Sequence, residues 1–170
     1  MGVGLGGGGR AGTVTRPIRL VLDTNVVIDW LVFDDPFMNP LRHGVADGRI
    51  VVLTHFPAMT ELKRVLGYRQ LKLDVARQVE VFTRYQEQAT MFAMPAAFSL
   101  KSLLLPGGFP RCRDRDDEHF LALAYHASAD ALVSRDNAVF GLKARAAKFA
   151  MTIWNVQEMI AVLSGAPADS

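Results

Sequence analysis

Acidic residues follow two predicted strands and also crowd one predicted helix start. Asp23 ends the apolar run 18–23, and Asp136 follows a second apolar run by two residues. A third group places four acids in the five positions from Asp114 to Glu118. Ligand sites in open parallel sheets lie outside the carboxyl ends of the strands, so Asp23 and Asp136 are expected at one edge. The alternative is that each caps the helix that follows it.

The acidic run can supply helix caps, a metal ligand, or both. Acidic side chains stabilise the positive end of a helix, so capping alone explains such a run. With helical spacing, Asp117 aligns with Phe120 and Ala124 and stands at the head of a buried stripe. Asp116 also aligns with Phe120 and stays an open alternative. Glu118 is turned by about 100° from Asp117.

Glu61 is a fourth candidate carboxylate. It lies in the first two turns of a helix predicted after the apolar run 50–53, and its neighbour Leu62 is expected to be buried. The alternative is a solvated side chain or an ion pair with Lys63 or Arg64.

Carboxylates gathered in a partly dry site repel one another unless their pKa values rise or cations bind among them. Ligand sets made only of oxygen favour Mg²⁺ or Mn²⁺. No zinc pattern is present, because Cys112 is the single cysteine and the four histidines show no ligand spacing. His119 and His126 are expected to be surface or half-buried residues.

Alternating strand and helix patterns predict the scaffold that must position these acids. Short apolar runs predict strands, and amphipathic runs predict helices. The predicted strands are 18–23, 50–53, 89–94, 131–134 and 151–154, and the predicted helices are 24–32, 40–47, 57–66, 74–89, 116–127 and 156–163. Strands that alternate with helices indicate a parallel sheet covered on both faces. Segment 94–113 interrupts the pattern as a long loop with several Pro and Gly residues.

Length and composition indicate one globular domain. The chain has 170 residues, a formal net charge of +2, 50% hydrophobic and 21% charged residues. Segment 1–16 is expected to be a flexible Gly-rich tail before a single domain at 17–164. Its G-x-G-x-x-G pattern precedes the first strand and therefore does not indicate a dinucleotide site. No apolar run reaches the roughly 18 residues of a membrane span, and the lone cysteine suits a reducing cytoplasm.

Basic residues near the acids are candidates for binding the backbone of a nucleic acid. Lys63, Arg64, Arg69 and Lys72 surround Tyr68, which combines phosphate contacts with a ring for stacking. The alternative is an ordinary solvated helix end, where cations suit the negative dipole. Three further arginines flank the acidic run and would either neutralise it or contact phosphate: Arg111, Arg113 and Arg115.

Four motifs follow one another in a recognisable order. They are a strand ending in D-x-N (VLDTNVVID), a helix carrying Glu (MTELKRVL), a D-x-D-D-x-x-F-L helix start, and a strand ending in S-x-D (LVSRD). Over about Ile18 to Val162 this order resembles the PIN domain. More narrowly, it resembles the toxins of type II toxin–antitoxin pairs.

The resemblance implies a three-layer α/β/α sandwich with a central parallel sheet, and a Mg²⁺- or Mn²⁺-dependent ribonuclease. It implies metal binding at four positions: Asp23, Glu61, Asp116 or Asp117, and Asp136. It gives Asn25 and Ser134 the supporting role of orienting the acids. Asn137 stands where many relatives have a further acid, which leaves a fifth ligand open.

The chemistry expected of such a site is hydrolysis of RNA phosphodiester bonds. Asp23 and Asp136 are expected to hold the principal ion, with Asp117 and Glu61 completing the site or holding a second ion. A small antitoxin protein is the expected partner. A homodimer through the apolar segment 26–33 is a further expectation, which a buried helix would explain equally well.

Two other classes of function are weighed against this one. A PIN-like module that only binds RNA or a protein partner would keep the same acids without catalysis. A phosphatase of the D-x-D type is disfavoured, because Thr24 and Asn25 follow Asp23. A receiver domain is disfavoured because the first strand lacks an acidic pair.

Overall fold

A central sheet of five parallel strands organises the protein, which a computed structural model describes over residues 15–165. The strands are β1 (Ile18–Leu22), β2 (Ile50–Thr54), β3 (Ala89–Met91), β4 (Ala131–Val133) and β5 (Ile153–Trp154). All of them were predicted from the sequence, although β3 and β5 are shorter than expected. Helices cover both faces, so the predicted three-layer α/β/α fold is confirmed.

The helices connect the strands as expected of a parallel sheet. They are α1 (Thr24–Leu31), α2 (Asn39–Ala46), α3 (Phe56–Leu66), α4 (Val75–Gln88), α5 (Glu118–His126), α6 (Asn137–Phe140), α7 (Lys143–Ala146) and α8 (Val156–Leu163). The sequence patterns predicted six of them, and α6 and α7 were missed. A 3₁₀ turn at Arg115–Asp117 precedes α5, so this helix begins later than predicted.

The strand order β3-β2-β1-β4-β5 places β1 at the centre of the sheet. The chain first builds outward from β1 through β2 to β3, and then returns to the other side of β1 with β4. Leu22 pairs in register with Val133, so β1 and β4 end side by side. The strand order reverses between these two strands, which is where open α/β sheets bind their ligands.

The alternation of side chains along β1 divides the core into two layers. Leu20 and Leu22 face one cluster, which contains Trp30 of α1. Val21 faces the other cluster, which contains Leu121 of α5. Both faces of the strand are therefore dry, as expected of a central parallel strand.

The apolar segment 26–33 mostly faces the core. Val26, Val27, Trp30 and Leu31 are buried within α1, which favours the buried-helix explanation over an interface. The homodimer stays a prediction.

The two ends of the described chain and the long loop complete the fold. Most of the predicted tail 1–16 lies outside the described residues, although Arg16 pairs with Asp130 at 2.7 Å. The loop 94–113 contains one isolated bridge, between Ser99 and Ser102, and buries Phe109. No helix in residues 15–165 has the length and apolar character to cross a membrane.

Candidate functional site

Asp23 stands at the end of β1 and caps the start of α1. Its side chain accepts hydrogen bonds from the amide of Val26 at 3.0 Å, the hydroxyl of Ser134 at 2.5 Å and the amide of Arg135 at 3.2 Å. Burial raises the pKa of this carboxyl, and the three hydrogen bonds oppose the rise. The side chain is thus fixed in position, at the predicted end of the strand.

Ser134 connects Asp23 to Asp136. Its buried hydroxyl donates to Asp23 and accepts from the backbone amide of Asp136 at 3.0 Å. Asp136 in turn caps α6 by accepting from the amide of Ala138 at 2.7 Å. The supporting role that the resemblance implied for Ser134 therefore has a geometric basis.

Asp117 completes a group of three neighbouring carboxylates. It is half-buried, ends the 3₁₀ turn before α5, and hydrogen-bonds Asp136 through its side chain. The pKa of Asp117 is raised from 3.8 to about 7, first by burial, then by the hydrogen bond to Asp136 and by the charges of Asp136, Asp114 and Asp23. Two carboxyl groups can share a hydrogen bond only when one is protonated. Asp23, Asp117 and Asp136 are called the acidic centre below.

Asp116, the alternative to Asp117, lies in a neighbouring cavity and not in the acidic centre. Its side chain is exposed and lines a cavity that also contains Glu61 and Arg64. The reason is the 3₁₀ turn, which has about three residues per turn and so changes the angle between successive side chains. The structure therefore places Asp117, and not Asp116, next to Asp136, and the choice of metal ligand between them stays a prediction.

Glu61 lies on α3 next to the acidic centre but has partners of its own. It accepts a hydrogen bond from the hydroxyl of Thr24, and its carboxylate lies 3.8 Å from Nε2 of His119 and 3.8 Å from the guanidinium of Arg64. Burial alone would raise the pKa of Glu61, but its contacts with His119 and Thr24 and the charge of Arg64 outweigh burial and lower it. Its negative charge in turn raises the pKa of Asp23.

Two residues near Glu61, Asn25 and His119, have a different exposure or contact from that expected from the sequence. Asn25 is exposed, and the neighbouring Thr24 makes the contact to Glu61 instead. His119 is buried at 6% exposure, so its expected surface or half-buried position is wrong. No local signal marks His119, because its contact with Glu61 arises from the packing of α5 against α3.

His55 packs against His119 behind Glu61. The two imidazole rings lie 5.2 Å apart, and both residues are buried. The pKa of His55 is lowered from 6.5 to about 4, first by burial and then by the charge of the neighbouring His119. Among the described residues, Nε2 of His55 and Nδ1 of His119 have no hydrogen-bond partner.

Two arginines near the acidic centre are engaged by other acids. Arg135 pairs with Asp29 at 2.6 Å, and Arg111 pairs with Glu118 at 2.8 Å. Within residues 15–165, no Lys or Arg side chain lies in ion-pair contact with any acid of the acidic centre. The negative charge of the centre is therefore not compensated by the described residues.

The acidic centre fits a hard divalent cation in charge and in donor type, since all its ligand atoms are carboxylate oxygens. The ligand set is not complete as it stands. In the described part of the chain, no three His, Cys, Asp or Glu side chains lie close enough together to hold one ion. The raised pKa of Asp117 beside Asp136 reflects the missing positive charge that a cation would supply.

The predicted RNA-binding residues lie along the end of α3 and the turn after it. Their side chains are all exposed, which suits either contact with RNA or an ordinary solvated surface: Lys63, Arg64, Tyr68, Arg69 and Lys72. Arg64 lines the cavity beside Glu61. Lys63 lines a separate cavity with Met91.

Comparison with known proteins agrees with this arrangement. A sequence model of the PIN domain matches residues 19–138, which include every member of the acidic centre and Glu61. No curated protein matches the chain. PIN domains are generally nucleases and typically bind a divalent metal. Since the match covers well over half of the sequence, this chain belongs to the PIN domain family.

Proposed function

We propose that this protein is a Mg²⁺- or Mn²⁺-dependent endoribonuclease and the toxin of a toxin–antitoxin pair. The observation that carries the nuclease proposal is the contact between Asp117 and Asp136 beside buried Asp23, with no cationic partner among the described residues. Such a group gains stability from a bound cation. Its place at the reversal of strand order supports a ligand site there.

Each acid would contribute differently to the site. Asp117 and Asp136, which lie in contact, would become two ligands of one ion. Asp23 accepts three hydrogen bonds, which leaves about one of its four lone-pair positions free for a direct contact. Glu61 already has partners and would act as a further ligand or as a nearby negative charge. A bound Mg²⁺ or Mn²⁺ supplies an activated water and offsets charge on the reacting phosphate.

Cleavage of single-stranded RNA tests the nuclease proposal. Wild-type protein is assayed with Mg²⁺, with Mn²⁺ and with excess chelator, beside Asp23→Asn and Asp136→Asn. Each variant should lose at least about 100-fold in rate while keeping its fold, because a ligand charge is removed but the shape is retained. Asp47→Asn is the control, since Asp47 lies in the turn before β2 and, within residues 15–165, its side chain pairs with the neighbouring Arg49 alone. Undiminished cleavage by Asp23→Asn or Asp136→Asn would refute the assignment.

The toxin proposal is supported by the narrower motif resemblance and is tested separately. Induced expression of the wild-type chain in bacteria should arrest growth, and equal expression of Asp136→Asn should not. Equal growth at matched protein levels would refute the toxin role and leave the nuclease proposal standing. A small antitoxin protein is the partner proposed with it.

The alternative is a PIN domain that binds RNA or protein without cleaving. Two observations favour it: the described acids do not already form a ligand trio, and Glu61 is engaged by Thr24 and His119. This alternative predicts binding without cleavage under every metal condition.

A further inference from the structure

A cavity of about 760 Å³ opens beside Glu61, and its volume lies within the range of sites for small molecules. One wall is the first part of α3, another is the loop around Phe98, and the third is the 3₁₀ turn that carries Arg115 and Asp116. It is called the Phe56 cavity below, after the residue at its rim. Neither the acidic centre nor the family match assigns it a ligand.

Aromatic rings form the apolar part of the Phe56 cavity. Phe56 is the first residue of α3, and 78% of its surface is exposed. Phe98 is half-buried, and its ring packs against His55 at 6.0 Å between centroids. Phe98 is thus held in place from behind, while the ring of Phe56 is open for a planar ligand to stack on.

Guanidinium groups form the cationic part of the cavity. Arg64 is 61% exposed, and its single ion pair, with Glu61, is long at 3.8 Å. Arg115 is exposed, and its side chain forms no hydrogen bond or ion pair with another residue in the range 15–165. Both groups therefore keep free N–H donors, which match the oxygens of a phosphate in a paired geometry.

Two residues that line the cavity are also neighbours of the acidic centre. Glu61 lines the cavity and also accepts the hydrogen bond of Thr24, which directly follows Asp23. Asp116 lines the cavity, and the next residue, Asp117, joins Asp136. A polymer bound at the acidic centre would therefore pass beside the cavity.

We propose that the Phe56 cavity binds one unpaired nucleotide of a single-stranded RNA, next to the bond that the acidic centre cleaves. This rests on the proposed ribonuclease function and adds the form of its substrate. The base stacks on Phe56, and the adjoining phosphate meets Arg64 and Arg115. Sites for single strands combine stacking rings with cationic groups in this way. A paired base is stacked within its own duplex and cannot enter, so duplex RNA is excluded.

Binding is measured in an Asp136→Asn background with Mg²⁺, so that the probe is not consumed. The probes are fluorescent RNA single strands of about eight nucleotides and the duplex of the same length. Phe56→Ala should weaken single-strand binding about ten-fold, because stacking of one base is lost. Phe56→Trp should restore it, since a ring is kept. Phe33→Ala is the matched control, because Phe33 is 61% exposed and does not line the cavity.

Two results would overturn the inference. One is a Phe56→Ala affinity equal to that of Phe33→Ala. The other is no preference for single strands over duplex, or no RNA binding at all, which would point to a protein ligand for the aromatic rim. Failure of the ribonuclease proposal looks different: the wild-type protein would cleave no RNA and yet bind single strands in a Phe56-dependent manner.

Discussion

Two adjacent acidic residues at the start of α5, Asp117 and Glu118, differ in the groups that their carboxylates contact. Glu118 is buried, and both of its oxygens accept from Arg111, at 2.8 and 3.1 Å. One oxygen also accepts from the amide of Cys112 at 3.2 Å. The preceding residue, Asp117, faces Asp136 instead and shares a hydrogen bond with it.

The difference separates a carboxylate whose charge is paired within the chain from one whose charge has no cationic partner among the described residues. The charge of Glu118 is satisfied within the chain, so this residue joins the long loop to α5. The charges of Asp117 and Asp136 repel, and this repulsion is one cause of the raised pKa of Asp117. Adjacent acidic residues thus have different surroundings, and we expect the partner of each to decide its role.

The largest expected effect is on the rate of RNA cleavage, and it is tested by comparing substitutions of the neighbours Asp117 and Asp116. Asp117→Asn should lower the rate at least about 100-fold, because it removes a ligand of the acidic centre. Asp116→Asn should lower it by less than about 10-fold, since Asp116 would contact only the bound nucleotide. Initial rates at saturating Mg²⁺ measure both. A greater loss in Asp116→Asn would reverse the assignment of the two aspartates.

The next effect is on stability, and it concerns the satisfied carboxylate. Glu118→Gln should lower the free energy of unfolding by about 1–3 kcal/mol, because it weakens a buried, charge-assisted contact whose partner Arg111 is itself largely exposed. Urea unfolding measures the change. Asp47→Asn, at an exposed ion pair, is the control and should cause no measurable change. Equal stability of both variants would mean that the Glu118–Arg111 pair does not hold the loop.

The smallest expected effect is a gain in stability, and it concerns Asp117, whose carboxylate has no cationic partner among the described residues. The pKa of Asp117 rises from 3.8 to about 7 on folding, so its contribution to stability falls as the pH rises through this range and stays lost above it. Asp117→Asn should therefore stabilise the metal-free protein at pH 8 by about 1–2 kcal/mol, allowing for solvent screening of a half-buried group. The gain should vanish near pH 4.

His55 changes stability in the opposite direction and must be separated from Asp117. Its pKa falls from 6.5 to about 4 on folding, so its contribution is present above pH 6.5 and is lost as the pH falls through about 4. The difference between wild type and Asp117→Asn removes the effect of His55, which both proteins share. A difference that does not depend on pH would contradict the raised pKa of Asp117.

Sequence reasoning located the ends of the strands better than it located the contacts between helices. Asp23 and Asp136 were found because parallel strands that pair in register bring their carboxyl ends together. The choice between Asp116 and Asp117 could not be made, because a 3₁₀ turn of three residues has no apolar period that reveals it. The two helices α6 and α7 were missed for the same reason, since each has four residues.

The partners of Glu61 were also beyond prediction. Thr24 was passed over for Asn25, because only the packing of α1 against α3 decides which of the two faces Glu61. His119 comes from α5, far along the chain, and its burial depends on how α5 packs against α3. Long-range packing of this kind leaves no mark in local spacing.

Equilibrium binding of Mn²⁺ to the folded protein tests most directly whether the acidic centre is a cation site. Calorimetric titration should show binding to wild type and to Glu118→Gln, and should show at least about ten-fold weaker binding to Asp136→Asn. Binding should release a proton near pH 6, because Asp117 must ionise to become a ligand. Equal affinity in wild type and Asp136→Asn, or no binding by wild type, would contradict the account.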